Sequence, residues 1–256
     1  MSLGGDWGDP EESKDAEDAV RRLRLDPDGP PIFCAIHGRK GCGKSEFLRS
    51  YASSWPYDAV IVDPTRDLDP DGRFTVPWPG GDVWPAEEET DDELTEQERQ
   101  RRRRFRVVPD RNDPDHRTKV DRIVHLAHDN PAPTFIGIDE GRYLFASDER
   151  IEPGSDIVQN EGRHGKDFLF VANPRAVGLR PVFHAQADWI VVFDVANEED
   201  LKRIAAPAGL RHEELAELIR NLDAEELGAR GEIVTGFILI DVPRRSVTVY
   251  PILPLR

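Results

Sequence analysis

Gly38-Arg39-Lys40-Gly41-Cys42-Gly43-Lys44-Ser45 has the full spacing of a phosphate loop, G-x-x-x-x-G-K-[ST]. The chemistry of that pattern is polyphosphate capture. Its glycines let the backbone approach an anion with N–H groups pointing inward, and a helix starting at the end of the loop turns its positive end to the same charge. Lys44 offers a cation to the outer phosphates, and Ser45 offers a hydroxyl to a magnesium ion. A second pair, Asp139-Glu140, closes the apolar run Pro133-Thr-Phe-Ile-Gly-Ile. An apolar strand ending in two acids is a weak signal alone and a strong one downstream of a complete phosphate loop. Asp139 is placed to hold magnesium through its water shell, and Glu140 to orient or deprotonate an attacking water. An acid after the magnesium ligand favours water as nucleophile, so hydrolysis is expected rather than transfer to a metabolite.

The flanking segments must bring these groups together. Ile32–His37 reads as a buried strand, and the helix SEFLRSYASS follows the loop. Asp58–Asp63 is a second strand, FRVV (105–108) a third, PTFIGI a fourth, Phe168–Ala172 a fifth and Gln186–Phe193 a sixth. Asp115–Asp129 carries Val120, Ile123, Val124 and Ala127 at helical spacing, and a further helix is expected over Ser155–His164. The fifth strand is capped by Asn173-Pro174-Arg175, which brings a polar amide to the site. Glu198–Glu226 reads as amphipathic helix, and Glu232–Asp241 with Ser246–Pro251 as a hairpin around Pro243-Arg244-Arg245. Alternating strands and helices give an α/β fold with a mostly parallel sheet and right-handed crossovers. The expected strand order is 5-1-4-3-2, with the Asp-Glu strand beside the phosphate-loop strand.

Residues 1–30 are acidic and rich in Gly, Asp and Pro, and read as a loosely ordered leader. Residues 31–200 form the expected core, with an excursion at about 67–100, and residues 201–256 add the C-terminal helices and hairpin. The formal net charge of −16 is opposite to that of a protein that coats nucleic acid, so any DNA contact must be local. One candidate is the run containing Arg101, Arg102, Arg103, Arg104 and Arg106; another is the hairpin tip, Arg244 and Arg245. The run reads equally well as an arginine-rich edge neutralised by the acidic stretch before it. Two cysteines suggest neither a disulfide framework nor a zinc site, and fit a reducing compartment. Cys42, beside lysines at a helix N-terminus, is expected to have a lowered pKa. His164 and His184 lack ligand-spaced partners and read as solvated or packed. No signal peptide or apolar run of about 20 residues is present, so a soluble protein is expected.

GRKGCGKS, IGIDEG and EGRHGKDFLFVANPRAVGLRPVFHAQADWIVVF together resemble the ATPase core of the HerA/FtsK superfamily, and within it the small viral genome-packaging ATPases. The likeness runs from about residue 30 to 195. It implies a P-loop NTPase of RecA/FtsK type that uses ATP and Mg2+, with Lys44, Ser45, Asp139 and Glu140 in the roles given above. Asn173 takes the place of a phosphate sensor that is commonly Gln in the superfamily. Arg163 resembles the arginine such rings insert into a neighbour's site, with Arg175 and Arg142 as alternatives; Arg163 also reads as a helix C-terminal residue facing its own dipole. The implied protein is a homo-oligomeric ring, pentameric or hexameric, that drives double-stranded DNA into a capsid. It would dock at a portal or capsid vertex, in the host cytoplasm or on the virion. A related secretion, conjugation or phage-assembly ATPase is a second reading, and a slow nucleotide-dependent binding switch is a third.

Overall fold

Strands with no polar residues to alternate must be covered on both faces, and the central strands of this chain meet that condition. β1 (Phe33–His37), β2 (Ala59–Val62), β5 (Phe135–Ile138), β6 (Phe168–Asn173) and β7 (Trp189–Val192) are buried at every residue. The computed structural model describes residues 11–12, 25–79, 95, 103–161, 166–222, 226–227, 233–234 and 236–250. β3 (Val76–Pro77) and β4 (Arg104–Val107) form one edge, and the hairpin β8 (Phe237–Asp241) and β9 (Ser246–Tyr250) lies towards the other. The order across the sheet is β9-β8-β7-β1-β6-β5-β2-β4-β3, with the two residues Glu11–Glu12 added outside β9. β3 to β7 run parallel with β1 and β2, and β8 pairs antiparallel with both β7 and β9.

This order corrects the sequence reading in one respect. β7-β1-β6-β5-β2 is a 5-1-4-3-2 arrangement only once β3 and β4 are set aside, because these two take places outside β2 instead of joining the series. Counted in sequence, the Asp-Glu strand is therefore one place further from β1 than expected. β6 lies between them, in register with both. Its six residues FLFVAN are all buried, as suits the centre of the sheet.

Alternate residues of each strand feed two cores. Cys34 and Ile36 of β1 join the layer under α1 (Lys44–Ser54), while Phe33 and Ala35 face the opposite layer. Phe47 of α1 is ringed by Phe170, Phe193 and Phe237, which fixes the helix behind the phosphate loop. The opposite face is covered by α2 (His116–His128), α3 (Arg142–Phe145), α4 (Pro153–Glu161), α5 (Pro181–Ala185), α6 (Glu198–Ala208) and α7 (His212–Arg220). α4 begins earlier than expected, at Pro153, where Asp121 accepts the backbone N–H groups of Gly154 and Ser155 at 2.8 and 2.6 Å. The expected helical region after Glu198 holds two helices, separated at Gly209 with φ 69°, and the second ends at Arg220.

Four of the arginines proposed as DNA contacts have structural partners, and at the hairpin tip Arg244 Nη1 donates to Asp241 Oδ2 at 3.0 Å. Arg104 is buried on β4 and caps α1: Nε donates to the Ala52 carbonyl at 2.5 Å, and Nη2 to those of Ser53 and Trp55 at 2.8 and 2.6 Å. Arg106 grips the buried carboxylate of Asp63 through Nε and Nη2, at 2.9 and 2.6 Å, and Arg103 pairs with Asp58 at 2.9 Å. The neutralised-edge reading thus describes Arg103, Arg104 and Arg106, with Asp58, Asp63 and a helix end among their partners. Arg101 and Arg102 lie outside the described residues. Removing Arg104 strands three carbonyls and a helix terminus in the interior. Arg104→Ala is expected to cost about 2–4 kcal/mol of unfolding free energy in urea titration, against under about 0.5 kcal/mol for the exposed Arg244→Ala.

Candidate functional site

The parallel strands β1, β6, β5 and β2 end at one edge of the sheet, and the chemistry gathers there, as ligands do in open α/β sheets. The loop after β1 turns back on itself through Gly38, Gly41 and Gly43, with φ of 155°, 82° and 100°. A Cβ on Gly38 would stand 2.6 Å from both Cys42 Sγ and Phe193 Cβ, so only glycine fits. Arg39 anchors the loop to the end of β7: its N–H donates to the Asp194 carbonyl at 2.9 Å and its Nε meets the Asp194 carboxylate at 2.6 Å. Lys44 Nζ is folded into the loop, donating to the carbonyls of Gly38 and Arg39, both at 2.8 Å. Lys40 is exposed at the loop tip. Cys42 is buried, and burial pushes its thiol up, with Lys44 acting the other way. The expected lowering is corrected, because desolvation outweighs the nearby cation.

From β5 the acidic pair arrives at the same place. Ser45 Oγ donates to Asp139 Oδ2 at 2.9 Å, across the tip of β6. Burial raises the Asp139 carboxyl to about 6, the Ser45 hydrogen bond opposes this, and Asp63 and Glu140 add like charge. Asp63 is already held by Arg106, which leaves Asp139 with the Ser45 hydroxyl, and Glu140 beside them, to meet a divalent ion. Among the described residues no cluster of three or more His, Cys, Asp or Glu side chains could hold a metal. The set fits magnesium in the mode that needs one or two protein ligands, with phosphate oxygens and waters supplying the rest. Glu140 follows with φ 63°, a left-handed conformation rare for a residue with a side chain, and such strain concentrates at functional turns. The turn is pinned to β6 by Gly141 N–H to the Ala172 carbonyl at 2.6 Å and Arg142 N–H to Asn173 Oδ1 at 3.0 Å. A Cβ on Gly141 would lie 2.2 Å from Val171 Cγ1, a close approach that the sequence reading missed.

No family model matches the sequence, and no curated protein matches it. Solved structures do. The genome packaging NTPase B204 from Sulfolobus turreted icosahedral virus 2, in complex with AMP, aligns with a TM-score of 0.60 at 19% identity over 88% of this chain and 98% of that one. Its complex with ATP-gammaS gives 0.59 at 20% identity, over 90% and 100%. B204 of Sulfolobus turreted icosahedral virus, described as a DNA-packaging ATPase, gives 0.57 at 19% identity, over 86% and 97%. This chain has the B204 fold. The α/β P-loop NTPase architecture expected from the sequence is therefore the one found.

On this fold the other expected residues fall into two groups. Asn173 is buried at the tip of β6 with its amide engaged inside the protein: Oδ1 accepts from Arg142, and Nδ2 donates to the Arg175 carbonyl at 2.5 Å. Arg175 and Arg142 are half exposed and paired with Asp200 at 2.5 Å and Asp148 at 3.1 Å. Arg163 and His164 lie outside the described residues. A cavity of about 390 Å³, lined by Trp78, Arg106, Pro109 and Ile123, sits at the β4 edge; its lining includes none of Lys44, Ser45, Asp139 or Glu140. No helix among the described residues is long and apolar enough to cross a membrane.

His37, absent from the sequence reading, is fully buried at the end of β1 against His184. Its only signal was a histidine directly before a phosphate loop. Burial lowers His37 to about 4, the Asn173 carbonyl opposes this, and Lys44 adds to the lowering; His184 is also pushed well down, by burial first and then by His37 and Arg203. Folding thus holds both rings neutral, while the unfolded chain protonates them below about 6.5. The stability they contribute is fully present above pH 6.5 and is lost as the pH falls towards 4. His184→Phe is expected to flatten the fall in unfolding free energy between pH 7 and 4.5 by about 2–3 kcal/mol relative to wild type, measured by urea titration at each pH. In parallel, Gly141→Ala should destabilise by about 1–3 kcal/mol through its clash with Val171, read as a lower thermal midpoint.

Proposed function

We propose that this chain is an ATP-hydrolysing motor that packages double-stranded viral DNA, acting as a homo-oligomeric ring of five or six subunits docked at a portal or capsid vertex. The Ser45–Asp139 hydrogen bond carries this reading. It brings the hydroxyl of the phosphate loop and the first strand-end acid to one point, with Glu140 next in the chain. The fold shared with packaging NTPases supports it.

Each residue then has a defined task. Backbone N–H groups of the loop and the N-terminus of α1 bind the phosphates. Lys44 leaves the Gly38 and Arg39 carbonyls for the more strongly charged phosphate oxygens. Ser45 and Asp139 would hold magnesium, which would neutralise charge on the phosphate groups. Glu140 accepts a proton from the attacking water, and its turn, fastened to β6, fixes the direction of attack. Arg163 is proposed as the arginine supplied to the neighbouring site, where positive charge on the transferring phosphoryl group lowers the barrier. Arg175 and Arg142, the alternatives, would each have to break an ion pair to do so. DNA is met at the hairpin tip by Arg244 and Arg245, both exposed, and by Arg101 and Arg102. A net charge of −16 confines the contact to such a narrow basic surface. The ring would work in the host cytoplasm or on the virion.

Steady-state ATP hydrolysis against protein concentration, with and without duplex DNA, tests this. The rate per subunit should rise steeply with concentration and rise again with DNA, and Glu140→Gln should lower kcat at least about 100-fold. Arg163→Ala should be equally inactive alone. Inactive Arg163→Ala subunits mixed with inactive Glu140→Gln subunits should regain turnover wherever a Glu140→Gln subunit donates its arginine to a site with an intact Glu140. Arg244→Ala with Arg245→Ala should remove most of the stimulation by DNA and leave the basal rate. A slow rate, linear in protein and indifferent to DNA, would point to the nucleotide switch instead.

A further inference from the structure

The strand that delivers the phosphate loop ends in a histidine with no task in the chemistry above. His37 is the last residue of β1, directly before Gly38, and is fully buried. Its Nδ1 lies 3.3 Å from the main-chain carbonyl of Asn173, and its Nε2 lies 3.0 Å from Nε2 of His184, fully buried on α5. The rings meet almost edge to edge, with centroids 4.9 Å apart and planes 24° from parallel. A carbonyl only accepts, so His37 carries its proton on Nδ1. Neutral His37 then accepts at Nε2, and His184 must donate there. Two protons serve two of the three available contacts. The third nitrogen, His184 Nδ1, is buried beside the Arg180 main chain and is the contact left without a proton. One tautomer of each ring is thereby selected.

Asn173 is where this pair reaches the site. Its carbonyl accepts the His37 Nδ1–H while its side-chain oxygen accepts the N–H of Arg142, two residues after Glu140. A continuous path of bonds and hydrogen bonds thus leads from Gly38 through His37 and Asn173 to the strained Glu140 turn. At its other end His184 fastens it to α5, on the opposite side of the sheet from α1.

We infer that His37 and His184 are positioning residues that lock the end of β1 to Asn173, and so set Glu140 against the phosphate loop. The inference rests on the hydrolytic role proposed for Glu140. In that reading the asparagine acts as a link between the two halves of the site, with its amide turned to the protein, and the histidine pair keeps the link taut. A displacement of about 1 Å between base and phosphate is enough to cost about 100-fold in rate.

The test is a double-mutant cycle on the full chain, reading ATP turnover, KM for ATP and thermal midpoint for wild type, His37→Gln, His37→Asn, Asn173→Ala and the His37→Gln/Asn173→Ala double variant. Asparagine at 37 keeps an N–H donor near the place of Nδ1, and glutamine does not. The expected result is a kcat about 10–100-fold lower in His37→Gln with KM within about threefold. His37→Asn should recover part of that loss, and the double variant should be no slower than Asn173→Ala. Losses that multiply in the double variant would show that His37 does not act through Asn173 and would overturn the inference, as would a wild-type kcat in His37→Gln. If His37→Gln does not fold, His184→Gln replaces it in the same cycle, with the same outcomes deciding. A wild-type protein without any ATP turnover would remove the hydrolase reading itself, whereas normal wild-type turnover with an indifferent His37 removes only this one.

Discussion

Ser45 and Asp139 sit on elements that β6 keeps apart, and the hydrogen bond between them crosses the tip of that strand. The rest of the site depends on this crossing. It requires β1, β6 and β5 to end level, which their parallel register provides, and it requires α1 to start where Ser45 can face β5. Phe47 in its aromatic cage sets the helix from below, and Arg104 holds its far end by three carbonyls. A helix held at only one end would leave the hydroxyl free to swing. The edge strand β4, far from the chemistry in the sheet, thus contributes to the placement of a serine at its centre.

Burial governs the charges of the site. Asp63 is completely buried and depends on Arg106, and Asp139 is raised to about 6 by burial first, with the like charge of Asp63 and Glu140 adding to it. Lys44, the natural counterion, is turned to carbonyls of its own loop. A magnesium polyphosphate would supply cation and anion together, with Ser45 and Asp139 to hold the metal and Lys44 to meet the phosphates under the role proposed above. The same desolvation keeps Cys42 and the His37–His184 pair uncharged at neutral pH.

Much of this was legible in the sequence because the signals were local. A phosphate loop is a spacing of glycines, and the strand ending in Asp139-Glu140 is a run of apolar residues with two acids after it; both were where expected. Partners distant in sequence were not legible. Nothing in RRRRFR says that Arg104 faces a helix terminus and Arg106 a buried aspartate, since either could as well face solvent; only the sheet order, with β4 outside β2, decides it. That order was itself misjudged, because two more strands precede Asp139 than the simplest series allows. Gly141 and His37 escaped for a related reason. Each matters through a contact with β6, and the sequence does not state which strand lies between β1 and β5.

The measurement that bears most directly on this account is calorimetric titration of ATPγS and ADP into wild type, Ser45→Ala and Asp139→Asn, with and without Mg2+. If Ser45 and Asp139 together form the metal side of a nucleotide site, magnesium should tighten wild-type binding by about tenfold or more, and each variant should lose most of that gain while still binding metal-free nucleotide. Equal magnesium dependence in all three proteins would contradict it, and the hydrogen bond across β6 would then be a structural clasp with no part in binding.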